Sequence, residues 1–169
     1  MGLNSIASIP TRHDANPVEF RSDDFPPCDG EKEEVNPGLY GKRLAESLVR
    51  GLKQHGFEPL EPVAEDWGWG IPIKNAGFKL WIGCGNYQEY PDGFLCFIEP
   101  HQPMVRRFFV LWKIDTAKQV TALPQALDHI LSALPGTRDK RWWTYDERHQ
   151  SAAPNGSLKL RRGQNRRRS

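Results

Sequence analysis

The chain has 169 residues, enough for one domain with a sizeable core and short for two. Its 38% hydrophobic and 26% charged residues are those of a globular protein, while 14 Pro and 15 Gly favour strands and turns over a helical bundle. No apolar run approaches the roughly 20 residues that span a bilayer, so a transmembrane helix is excluded, and the net charge of +2 conceals a basic end on an acidic body.

Residues 1–16 are polar and read as a flexible lead-in. They lack the charged and apolar regions of a signal peptide, and Ile6 stands where a myristoylation signal needs Ser or Thr. A single domain is expected over 17–148. Val18-Glu19-Phe20 reads as a short strand, followed by a Pro-, Gly- and acid-rich loop. Asn36 as N-cap and Pro37 at the first helical position predict a helix over 37–55. Its apolar stripe is Tyr40, Leu44, Leu48 and Leu52, and Gly56 supplies a left-handed C-terminal cap.

The period then changes to two. Trp67, Trp69, Ile71 and Ile73 alternate with Gly and Pro and are expected on one face of a strand, with Pro72 marking it as an edge or an irregular strand. After the Asn75-Ala76-Gly77 turn, Phe78, Leu80 and Ile82 alternate on a second strand. Phe94 to Ile98 forms a third and Val105 to Trp112 a fourth. A second helix follows, with Thr121 as cap, Pro124 in its first turn, and a stripe of Leu123, Leu127, Ile130, Leu131 and Leu134 before Pro135-Gly136. The segment RWWTYDE returns as a strand or packs as an aromatic lid, and 149–169 reads as a disordered basic tail. The fold class expected is α+β: two layers, with an antiparallel meander of four to five strands and two main helices on one face.

That arrangement leaves Trp81, Leu95 and Phe97 on the second sheet face, an exposure on the order of 400 Å² if nothing covers it. Three covers suffice: the Trp142-Trp143 segment, a second copy of the chain in a homodimer, or a partner protein.

Chemical motifs are sparse. Cys28, Cys84 and Cys96 form no CxxC pair, which suits reduced cytoplasmic thiols. Cys84 lies between glycines, as a nucleophile would need, yet no histidine is near it in sequence. Metal-ligand spacing and phosphate-cradling motifs are missing, so no metal and no cofactor is expected. Paired loop carboxylates beside Trp67, Tyr87 and Tyr90 would suit glycoside chemistry, but adjacent acids ahead of a strand are more often solvated or capping groups. An enzyme using loop carboxylates or Cys84 is the third reading.

The segment Leu158 to Ser169 contains Lys159, Arg161, Arg162, Arg166, Arg167 and Arg168. Taking these six from 23 basic residues leaves 17 against 21 acids, a formal −4 on the remainder. The tail therefore raises weak nucleic-acid contact as the second reading. The stretch DGFLCFIEP invites comparison with the RNP1 strand of RRM proteins, but Asp92 replaces the basic residue and Cys96 the second aromatic.

The leading reading is a non-enzymatic protein-interaction module. Its candidate partner-binding residues are Glu65, Asp66, Trp67 and Trp69, then Tyr87, Glu89, Tyr90 and Asp92 in the next long loop. The pattern over 36–147, a capped helix, EDWGW, a Trp-rich meander and a closing helix, resembles small bacterial α+β proteins, including immunity proteins that neutralise toxins. The resemblance implies a cytoplasmic inhibitor that blocks a toxin or enzyme sterically and electrostatically.

Overall fold

The structure, a computed structural model, describes residues 15–75, 78–87, 90–99, 104–105, 114–115 and 117–144. The elements in chain order are β1 (Ala15–Arg21), α1 (Glu31–Glu34), α2 (Lys42–Gln54), β2 (Val63–Glu65), β3 (Gly68–Ile73), β4 (Leu80–Asn86), β5 (Gly93–Glu99), β6 (Met104–Val105), β7 (Ile114–Asp115), α3 (Ala117–Ala133) and β8 (Arg138–Thr144). The class is α+β. Six strands pair antiparallel in the order β2-β3-β4-β5-β1-β8, and β6 pairs with β7 separately. The sheet thus exceeds the expected four to five strands. Its meander, β2 to β5, is extended by β1 and β8, which pair beside β5 from the two ends of the domain.

Alternation assigns the two faces of this sheet. Val18, Phe20, Trp69, Ile71, Ile73, Leu80, Ile82, Phe94 and Ile98 are buried on the core face with Leu44, Leu48 and Leu52 of α2 and Leu123, Leu127 and Leu131 of α3. Phe20 and Phe94 face each other across β1 and β5 and stack with ring centroids 5.7 Å apart, while Phe25 meets Phe94 edge-on. Phe78 precedes β4 instead of opening it and packs half-buried against this core.

Helix α2 ends as its sequence requires. Gly56 adopts φ +81°, its N–H reaches the Lys53 carbonyl, and Phe57 N–H reaches Leu52, a Schellman closure. Its start differs from the expectation. Asn36 and Pro37 do not cap it: they lie in a turn completed by Gly38 at φ +84°, and the helix begins at Lys42 after Gly41. The cap comes from elsewhere in the chain. The Glu31 carboxylate accepts from Gly41 N at 2.7 Å and Lys42 N at 2.6 Å, satisfying donors that a helix start leaves open. Gly41 allows the approach this needs, since a Cβ there would stand 2.9 Å from Gly85 Cα on β4.

Helix α3 begins earlier than expected, so Thr121 is not its cap and Pro124 lies inside it. Leu123, Leu127, Ile130 and Leu131 are buried as the stripe predicts. That packing favours the helix against the hydrogen bond Pro124 cannot donate. Arg138–Thr144 forms strand β8 and no lid: Val18 faces Trp142 across β1 and β8, and Trp142 Nε1 donates to Asp128 of α3 at 2.8 Å. Of the strand expected over Val105 to Trp112, all but Val105 lies outside the described residues, as do residues 1–14 of the lead-in expected over 1–16, whose last two residues instead open β1, and the whole tail expected over 149–169.

Candidate functional site

Trp67 and Trp69 are separated by a single glycine and do not share a face. Trp69 is on β3, 3% exposed, and its Nε1 donates to Glu31 Oε1 at 2.8 Å. Trp67 lies in the two-residue turn joining β2 to β3, where alternation does not apply, and Gly68 at φ +144° redirects the chain there. Its ring joins Trp81 at 5.7 Å and Phe97 at 5.1 Å on the reverse face, and Trp81 meets Phe97 edge-on at 5.4 Å. The expectation that Trp67 continues the Trp69 face is corrected. Two groups that looked separate, the EDWGW acids with Trp67 and the apolar set Trp81, Leu95 and Phe97, form one surface.

Bare backbone lies under this surface. A Cβ on Gly83 would stand 2.3 Å from the Phe97 ring, so the ring rests directly on β4. Two shallow grooves flank the cluster. One, of about 530 Å³, runs along Trp67, Trp81, Leu95 and Phe97, with Gly85, Asn86 and Glu99 beside them. The other, of about 670 Å³, lies over Gly70 and Pro72 between Val63, Glu65, Trp67 and Trp81. The exposed large apolar residues among those described all fall within eight positions here: Leu60 at 52%, Val63 at 50% and Trp67 at 37%. Glu65 and Asp66 are exposed beside them, and neither side chain makes a hydrogen bond or ion pair among the described residues.

The second candidate loop serves the fold. Asp92 accepts from Arg21 Nε at 3.0 Å and also pairs with Arg138, tying the β4–β5 turn to β1 and β8. The Arg21 hydrogen bond holds the Asp92 carboxyl below its ordinary range, against the opposing effect of desolvation. Tyr87 lies over Gly93 and meets Tyr90 edge-on at 6.1 Å, and the Arg21 guanidinium sits 4.9 Å from the Tyr90 ring. Tyr40 closes the loop from α2's side by donating its hydroxyl to the Pro91 carbonyl at 2.6 Å. Glu89 lies outside the described residues, together with all six cations of the tail.

Glu31 is the residue sequence reasoning missed. It is 1% exposed, and its carboxylate accepts four hydrogen bonds, the two at the start of α2, Trp69 Nε1, and Cys28 N at 2.8 Å. With four donors converging on it from three parts of the chain, it ties the fold together. Cys84 is fully buried, and burial together with the Glu31 charge pushes its thiol far above the ordinary cysteine range, which denies it a thiolate's nucleophilicity. Cys96, directly across from it, is pushed up by burial as well. Among the described residues there is no cluster of three or more metal-ligating side chains, and no helix long and apolar enough to cross a membrane.

Fold and surface together define an α+β chain with an aromatic cluster on the sheet face opposite its core. No protein-family model, curated protein or solved structure matches it.

Proposed function

We propose that this protein is a non-enzymatic interaction module that binds a partner protein through the reverse sheet face around Trp67. The observation that carries this reading is exposed Trp67 lining both grooves, with exposed Val63 and Glu65 beside it in one of them and exposed Leu60 and Asp66 close by in sequence. A two-layer arrangement, with α2 and α3 together on the core face, would leave that reverse face free for a partner. A solvated tryptophan over an aromatic base offers a hot spot, and the flanking acids favour a partner whose contact surface is basic with an apolar centre. Blockade of a toxin or enzyme in the cytoplasm, as an immunity protein acts, is the specific form proposed.

The test is a pull-down with the full chain, identification of the bound protein, and measurement of its binding kinetics. Trp67→Ala is expected to weaken the complex at least thirtyfold through faster dissociation. Glu65→Ala with Asp66→Ala is expected to slow association and flatten its salt dependence. A complex that ignores both variants overturns the reading.

A further inference from the structure

The helices carry a feature far from the aromatic face. Helices α2 and α3 approach closely where Gly51 meets Ile130: a Cβ on Gly51 would stand 2.7 Å from Ile130 Cγ2. That contact brings together residues next to it on each helix, His55 at the C-terminal cap of α2 and His129 beside Ile130. Their rings are exposed, with centroids 6.2 Å apart and planes at 41°.

His55 is also oriented. Its Nδ1 lies 3.0 Å from the Gly51 carbonyl. A carbonyl oxygen only accepts, so Nδ1 carries the proton in this hydrogen bond and Nε2 of the neutral ring keeps its lone pair. Donation from one ring nitrogen to a backbone carbonyl is how histidine ligands are fixed in metal sites.

We propose that His55 and His129 form a two-histidine site for a divalent transition-metal ion, clamping the end of α2 to α3. Two metal–nitrogen bonds of about 2.0–2.1 Å, each extended by roughly 1.1 Å to its ring centre, put imidazole centroids roughly 5 Å apart at a tetrahedral angle and roughly 6.3 Å apart when the ligands are trans, so the 6.2 Å here marks a near-trans pair. Imidazole nitrogen selects transition metals over Mg(II) or Ca(II), which prefer oxygen, and a near-trans pair suits tetragonal Cu(II) or Ni(II) over tetrahedral Zn(II). No third protein ligand joins the pair among the described residues, so water completes the coordination. The pair is invisible in the sequence because 74 positions separate its members.

The experiment uses Cu(II) as the probe on the full chain, in a Cys28→Ser background that removes the half-buried thiol. Electron paramagnetic resonance is expected to show hyperfine splitting from two imidazole nitrogens at one copper per chain. His55→Asn and His129→Asn should each abolish that pattern and weaken copper binding at least tenfold. His13, His101 and His149 remain in both variants and serve as internal controls. Ni(II) should raise the melting temperature of the parent and of neither variant. A two-nitrogen signal that survives both substitutions, a one-nitrogen signal in the parent, or no nickel stabilisation overturns the proposal.

Discussion

Trp67 and Trp69 are the same residue type two positions apart, and their surroundings differ completely. Trp69 is buried in the core, with its indole N–H on Glu31 and the Lys42 ammonium 4.9 Å from its ring centroid. Trp67 lies on the reverse face against Trp81 and Phe97 with over a third of its surface in solvent. Period-two alternation governs side chains only inside a strand. One residue earlier, in a tight turn, the backbone dihedrals of Gly68 decide the face. The acids divide in the same way: the carboxylate of Glu31, in a segment that reads as loop, fixes the fold, whereas the carboxylates of Glu65 and Asp66, the conspicuous pair, bind nothing among the described residues.

The largest effect that would test this division comes from Glu31→Ala. It leaves three backbone N–H groups and one indole N–H without their acceptor, and a loss of about 3–5 kcal/mol is expected in urea unfolding. Glu65→Ala should stay within about 0.5 kcal/mol, as surface changes usually do. Equal effects at the two positions would erase the distinction. Trp69→Phe comes next: it removes the indole hydrogen bond and opens a small cavity, with an expected cost of about 2 kcal/mol by the same measurement.

Trp67→Ala should cost about 1 kcal/mol, mainly aromatic contact with Trp81 and Phe97. If it costs as much as Trp69→Phe, the reverse cluster is a second core and the binding role loses its basis. The smallest expected effect concerns pH. Because the folded Asp92 carboxyl titrates below its ordinary value of about 3.9, its contribution to stability is complete above that value and is lost as pH falls through the depressed one. Melting temperature followed from pH 5 to pH 2 should therefore fall more steeply in the parent than in Asp92→Asn. The effect is modest because Arg21 and Arg138 are partly solvated.

Much of the fold was legible where it depends on local pattern. The Leu44, Leu48 and Leu52 stripe, the Gly56 cap and the alternation in β3 to β5 all follow from periods of 3.6 and 2. Legibility failed where distant residues replace local ones. Asn36-Pro37 is a sound helix start by composition, yet Glu31 supplies the cap after the chain turns back, and its bond to Trp69 spans 38 positions. In the same way, Asp92 reads as a surface acid until β1 and β8 bring Arg21 and Arg138 to it. The candidate surface was half legible: Trp81, Leu95 and Phe97 follow from alternation, but the arrival of Trp67 beside them does not.

The close contact at Gly41 has a consequence for how this protein can change over generations. Besides the Gly41–Gly85 approach, a methyl on Gly68 would stand 2.7 Å from the Cys84 carbonyl, and one on Gly85 3.2 Å from the Trp67 carbonyl. Helix start, central strand and tryptophan turn thus meet as three stacked backbones. A saturation library should return almost nothing but glycine at 41 and 68, with 85 somewhat more forgiving, while exposed Glu65 and Asp66 accept most residues. For the interaction role proposed above, new specificities would arise by exchanging side chains on the reverse face, over a seam that must stay glycine.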